Sequence, residues 1–485
     1  MMKTNYPSRI STGIAGLDEI LAGGLIPNRT YLIRGGPGSG KTTLGLHFLS
    51  AGAARGERAL YISLEEPVEQ IKKNAEMRGF NLEGVTFLDL SPTSEFFKET
   101  LTYDIFSPAE VEREPITAKI IEQVEKVKPR LVFLDPMTQF RYLSPDVFQF
   151  RRQVLSFLRY LVEREATVMF SSEASAEAPD DDLQFISDGV ISLENKAGER
   201  TIGVDKFRGS SFRAGRHGLK LDDKGIVVYP RLIPIAARKE SFGKTISSGI
   251  PEIDELLGGG VERGTVTIIS GPSGVGKTTL GLQFMKEAAG RGERSVVYSF
   301  EEEVEIMIRR AEAINIPARI MIEKGTLTLK KVEPLQYTPD EFAYLVRQDV
   351  EEKGTQIVMI DSVAGFRLSV RGEDVQSRLH ALCKYLQNMG VAVFLITETS
   401  TIVGDFSITD LNISYLADNI IFLRYLEIQG EMQKAIGVLK KRLSNFEKTL
   451  RQYDITRYGI KVGRPLTELR GILTGAPEWI EEKDL

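Results

Sequence analysis

The chain has 485 residues, 42% hydrophobic and 27% charged, with a net charge of −5. That length is too great for one core and suits two domains of ordinary size. The mild acidity argues against a broad electrostatic footprint for nucleic acid, and a single cysteine (Cys383) with three scattered histidines rules out an intrachain disulfide and offers no zinc-ligand spacing.

Residues 1–9 are polar and carry no apolar leader, and no stretch is long enough to span a membrane, so a soluble, cytoplasmic protein is expected. The first β-rich run, 30–34, leads into Gly35-Gly36-Pro37-Gly38-Ser39-Gly40-Lys41-Thr42, followed by Thr43. This fits G-x-x-x-x-G-K-[ST], a phosphate-binding loop. Its glycines let backbone N–H groups turn inward, its lysine reaches the outer phosphates, and its threonine hydroxyl meets Mg²⁺. The helix that follows aims its positive end at the same phosphates.

The next run, 59–64, ends at Glu65-Glu66. Two carboxylates at a helix start are favoured by the helix dipole alone. Beside a phosphate loop, one of them can also orient or deprotonate an attacking water. Further strands are expected at 85–88, 131–134, 167–171 and 189–193, with helices at 115–127 and 145–163. Leu131-Val132-Phe133-Leu134-Asp135 reads as a buried strand delivering an aspartate to the active edge. Runs 201–207 and 226–229 read as antiparallel additions. The first ends in Lys206-Phe207-Arg208, whose outer two residues share one face of a strand. A charged edge strand would look the same.

A boundary is expected at 235–244, giving domains 1–236 and 237–485. Beyond it the pattern repeats, at an offset of 236 from the phosphate loop through the carboxylate pair, as between Lys41 and Lys277. The second loop is Gly271-Pro272-Ser273-Gly274-Val275-Gly276-Lys277-Thr278, followed by Thr279. The second carboxylate pair is Glu301-Glu302, the second strand-end aspartate Asp361, and the second basic stretch Lys440-Lys441-Arg442. Thr43-Leu44-Gly45-Leu46 is matched by Thr279-Leu280-Gly281-Leu282. A repeat this long is a whole domain. Alternating strands and helices predict the α/β class, with two tandem RecA-like domains, each a mainly parallel sheet flanked by helices. Ligands of such sheets bind beyond the carboxyl ends of the strands, where the loops, the glutamates and the aspartates all fall.

With these motifs in hand, the chain resembles the KaiC family of RecA-like P-loop ATPases over nearly its whole length. The tandem loops, the doubled Ser-Leu-Glu-Glu and Ser-Phe-Glu-Glu runs, Lys206-Phe207-Arg208-Gly209 and Gly430-Glu431-Met432-Gln433-Lys434-Ala435-Ile436 carry the likeness. The resemblance implies a homohexameric double ring with ATP and Mg²⁺ at subunit interfaces. It implies hydrolysis in the N-terminal ring, and hydrolysis plus serine/threonine autophosphorylation in the C-terminal ring. Glu65, Glu66, Glu301 and Glu302 look like the catalytic carboxylates, and Lys206/Arg208 and Lys440/Arg442 like basic pairs supplied in trans.

The chain departs from the family in three places. Ser414 aligns with the acceptor serine, but Tyr415 replaces the neighbouring threonine, which disfavours an ordered two-site cycle; Gln184 stands at the equivalent place in the first half. Phe212 and Phe446 stand where the family often has histidine. The sequence stops at Leu485, which argues against activator binding through a longer tail, while a KaiB-like partner for the first ring stays open. A nucleic-acid motor on the same fold would need a basic, aromatic channel. Arg151-Arg152, Arg309-Arg310 and Lys330-Lys331 read instead as solvated helix faces. A non-catalytic nucleotide sensor is the other alternative, and the intact loops and glutamates weigh against it.

Overall fold

The computed structural model describes residues 9–94, 109–142, 146–173, 179–196, 198–234, 244–370, 375–399, 414–471 and 478–479. Contacts divide the chain into two compact units, Met1–Arg231 and Leu232–Leu485. The linker expected at 235–244 lies almost wholly outside the described residues.

In the first unit nine strands form one sheet. They are β1 (Thr30–Gly35), β2 (Ala59–Ser63), β3 (Val85–Asp89), β4 (Leu131–Asp135), β5 (Thr167–Glu173), β6 (Gly189–Lys196), β7 (Glu199–Phe207), β8 (Arg216–Asp222) and β9 (Gly225–Tyr229). Their order is β3-β2-β4-β5-β1-β6-β7-β8-β9. The first six pair in parallel and the last three antiparallel. Central strands are buried on both faces, which explains their unbroken apolar runs. Successive residues of β4 serve opposite cores: Leu131 and Phe133 join one cluster, Val132 and Leu134 the other. Both antiparallel segments expected in the first half are present, but β8 lies between them unforeseen. Its sequence, Arg-His-Gly-Leu-Lys-Leu-Asp, has too little β-branched or aromatic character to read as a strand.

The second unit opens with a ribbon of β10 (Thr245–Ile246) and β11 (Val261–Glu262). Its sheet comprises β12 (Val266–Gly271), β13 (Ser295–Ser299), β14 (Leu327–Lys331), β15 (Ile357–Asp361), β16 (Ala392–Glu398), β17 (Asn419–Ile428), β18 (Glu431–Lys441), β19 (Arg451–Thr456) and β20 (Gly459–Pro465). Its order, β14-β13-β15-β16-β12-β17-β18-β19-β20, repeats that of the first.

The helix after each phosphate loop lies hard against its sheet, and a glycine makes this possible. A Cβ on Gly45 would come within 2.1 Å of the Phe133 ring, and one on Gly281 within 2.3 Å of Met359 Sδ. The matched Leu-Gly-Leu triplets therefore record close helix–sheet packing, which fixes the loop over the strand ends. Elsewhere, helices start on side-chain caps: Asp146 caps Val147–Glu163, and Thr338 forms a capping box with Glu341 ahead of Pro339–Glu351. Cys383 is buried in helix Val375–Asn388. Among the described residues, no helix is long and apolar enough to cross a membrane.

Candidate functional site

Each phosphate loop joins a central strand to a helix, β1 to Lys41–Ala54 and β12 to Lys277–Gly290. Gly40 and Gly276 precede those helices at φ 108° and 114°, a left-handed geometry that a side chain resists. At Gly36 and Gly38 a Cβ would meet nothing within 4 Å, so the loop's inner face is open. The lysines fold back over the loops. Lys41 Nζ donates to the Gly35 and Gly36 carbonyls at 2.8 and 3.1 Å, and Lys277 Nζ to the Pro272 carbonyl at 2.8 Å. Burial lowers both ammonium pKa values, while nearby carboxylates oppose the shift. Ser39 Oγ is buried without a hydrogen-bond partner inside the first loop.

Behind each loop a threonine meets the strand-end aspartate. Thr42 Oγ1 donates to Asp135 Oδ2 at 2.6 Å, and Thr278 Oγ1 to Asp361 Oδ2 at 2.7 Å. Asp135 also accepts from Tyr61 at 2.9 Å and from Ser171. Asp361 is pushed up to about 6, chiefly by burial and then by the charges of Glu301 and Glu302, against the pull of Thr278 and Arg310. These hydroxyl and carboxylate oxygens are the hard donors that Mg²⁺ takes. Thr42 and Thr278 would hold the ion, which when bound would neutralise charge on the outer phosphates.

The glutamate pairs follow β2 and β13 and reach the same edge. A cavity of about 580 Å³ beside the first loop is lined by Thr42, Thr43, Glu66, Asn74, Arg78 and Arg200 among others. A second, of about 470 Å³, borders Gly35, Gly36, Pro37 and Ser39 with Ser192 and Arg216. Glu66 accepts from Asn74 Nδ2 at 3.2 Å. Burial raises its pKa, reinforced by Asp135 and Glu65. In the second unit Glu302 pairs with Arg310 at 2.8 Å, and Glu301 accepts from Ser362 Oγ.

The basic stretches need one correction. Lys206, Arg208, Lys440 and Arg442 lie on the outward face, but the residues between them do not. Phe207 is 7% exposed and packs on Tyr31. The Lys441 side chain is fully buried, paired with Glu262 at 2.9 Å and bonded to the Gly260 carbonyl at 2.9 Å and to the Leu257 carbonyl. Strand alternation turns both side chains into the core, so neither offers a side-chain group to a nucleotide. Lys206 Nζ donates to the Gln184 carbonyl at 2.8 Å, and Lys440 Nζ to the Ser414 carbonyl at 3.2 Å. Gln184 and Ser414 thus hold equivalent positions, as alignment of the halves implies. Tyr415 is 50% exposed and meets the His380 ring edge-on. The rest of the aligned acceptor segment, 407–413, lies outside the described residues. Phe212 and Phe446 pack against the two cores.

Three residues escaped sequence reasoning. Arg310 is exposed on its helix, as expected, yet it also pairs with Glu302; its alignment with Asn74 was the available signal. Ser362 and Tyr61 contact the carboxylates with no motif to announce them. Lys330 and Lys331 depart from the expected solvated helix face: they end β14 and pair with Asp349 at 2.6 Å and Glu303 at 3.3 Å.

Paired sheets of this order, each with a phosphate loop after its central strand and a threonine–aspartate couple behind it, define a tandem RecA-like P-loop ATPase. The family model described as "ATPase: KaiC" matches residues 10–233 and again 246–467, and the chain belongs to that family. It is 30% identical to the circadian clock protein KaiC3 of a Synechocystis strain, over 100% of this chain and 97% of that protein. It is 28% identical to the circadian clock oscillator protein KaiC of Parasynechococcus marenigrum, over 97% of this chain and 93% of that one.

Proposed function

We propose that the protein is a cytoplasmic, ATP-driven homohexamer in which each nucleotide, bound with Mg²⁺ on one subunit's loop, is completed by the basic pair of its neighbour. The observation that carries this reading is the half-exposed state of Arg208 and Arg442. Among the described residues each pairs with one carboxylate of its own unit, Asp188 at 3.9 Å and Asp418 at 3.4 Å. Water attacks the γ-phosphorus, the bond to the β–γ bridging oxygen breaks, and ADP and phosphate leave. A glutamate of each pair takes the water's proton, and the neighbour's Lys and Arg offset charge on the transferring phosphoryl group. Native mass spectrometry with ATP and Mg²⁺ tests the assembly. A chain that stays monomeric while hydrolysing ATP would defeat the trans arrangement.

The same reading extends to autophosphorylation in the second ring, with Ser414 Oγ in place of water as nucleophile. The lysine contact to the Ser414 backbone favours it, since that contact brings the acceptor beside the basic pair. Phosphosite mapping after incubation with ATP tests it. The reading also includes a KaiB-like partner for the first ring, which co-purification would test.

A further inference from the structure

In the first unit a short helix, Asp181–Ile186, is tied down at both ends. Asp180 stands at its N-cap, yet its side chain makes no capping bond. The carboxylate turns instead to Arg34, accepting from Nε on Oδ2 and from Nη2 on Oδ1, each at 2.9 Å. Gln184 Nε2 adds a third bond to Oδ1 at 2.9 Å. Asp180 is only 2% exposed, and a buried carboxylate needs such a two-pronged cationic partner. It has exchanged the usual capping bond for a contact on another strand.

The other end of the helix meets Lys206. The last carbonyls of a helix lack intrahelical N–H partners, and the dipole favours a cation there. Lys206 Nζ donates to the Gln184 carbonyl at 2.8 Å and the Phe185 carbonyl at 3.1 Å. Between the two ends Leu183 is buried in the core. Arg34 directly precedes Gly35, whose carbonyl accepts from Lys41 at 2.8 Å. A continuous chain of contacts therefore runs from the root of the phosphate loop through Arg34, Asp180 and the helix to Lys206. The second unit does not reproduce its first link. Ser270 stands where Arg34 does, and a hydroxyl cannot form a bidentate pair with a carboxylate.

We propose that Asp180 is a positioning residue for catalysis in the N-terminal ring: clamped by Arg34, it fixes the helix end that aims Lys206 at the neighbouring subunit's nucleotide. This rests on the trans arrangement proposed above. An ammonium has three protons. The two carbonyls take two of them, and the third is left for a phosphoryl oxygen. A lysine already held in this way loses less freedom on meeting the transferring group than one on a free stem.

The test uses the full-length chain carrying Glu301→Gln/Glu302→Gln, so that turnover reports the first site. In that background Asp180→Asn should lower kcat roughly 3- to 10-fold while KM for ATP stays within about twofold, because the subunit's own loop still binds nucleotide. Lys206→Met should cost at least as much. The combined variant should be no slower than Lys206→Met alone, since nothing remains to be positioned. Gln184→Leu removes one of the three bonds to Asp180 and keeps the Arg34 pair. It should give a milder kcat loss, again absent beside Lys206→Met, and it carries the test if native mass spectrometry shows that Asp180→Asn forms no rings. An unchanged kcat in the variant tested, or losses that multiply in the combined variant as a merely structural role requires, would overturn the proposal. Unchanged turnover in Lys206→Met would instead overturn the role of Lys206 in the trans arrangement, and this inference with it.

Discussion

The hydroxyl of Thr278 reaches Asp361 at 2.7 Å, which ties the phosphate loop to the carboxylate at the end of β15. Burial and the neighbouring glutamates raise Asp361 to about 6. The folded state thus holds this proton more tightly than the unfolded chain. Its stabilising contribution is complete below the unfolded value and fades as pH rises through about 6. Mg²⁺ favours the ionised carboxylate, so the stabilisation given by Mg²⁺ and ATP should grow between pH 5.5 and 7.5. Thermal melts across that range check this. Asp361→Asn should flatten both trends, raising ligand-free stability at pH 7.5 while abolishing most of the Mg²⁺-dependent increment.

Replacing both glutamates of a pair by glutamine should leave ATP bound and stop its hydrolysis there. General-base removal costs on the order of 10²- to 10⁴-fold. Nucleotide binding by filtration, set against phosphate release, separates the two effects. Parallel losses of binding and turnover would mean that the glutamates hold nucleotide instead of activating water.

Lys440 and Lys441 are neighbours in different surroundings, one partly exposed and the other buried against Glu262. Removing Lys441 leaves Glu262 buried without its cation, so Lys441→Ala should destabilise the second unit by about 3–5 kcal/mol. Lys440→Ala, at a partly exposed site, should cost under about 1 kcal/mol and instead slow catalysis. Chemical denaturation and steady-state turnover on the two variants distinguish these outcomes.

If Ser414 is the acceptor, Ser414→Ala should abolish incorporation of labelled phosphate, and Tyr415→Phe should leave it intact. The tyrosine hydroxyl sits several ångströms farther from its backbone than a serine hydroxyl does, so one geometry does not serve both. Label retained in Ser414→Ala and lost in Tyr415→Phe would reverse the assignment.

Much of this was legible in the sequence because its signals are local. A phosphate loop is one contiguous string, and four apolar residues before Asp135 or Asp361 announce a central strand. What escaped depends on packing between distant segments. Lys441 was grouped with its neighbours by adjacency, although strand alternation sends it to the opposite face. Arg310 resembled any charge on an exposed helix until the turn between β13 and that helix brought it to Glu302. Strand β8 lacks the composition of a strand and is formed by its neighbours, β7 and β9.

Subunit mixing tests the central claim most directly. In the Glu301→Gln/Glu302→Gln background, Lys41→Ala and Arg208→Ala should each be nearly inactive alone. One lacks a competent phosphate loop and the other the basic group supplied to a neighbour. Coassembled, they should regain turnover at interfaces where an intact loop meets an intact Arg208. No recovery in rings shown by native mass spectrometry to contain both chains would contradict catalysis shared between subunits.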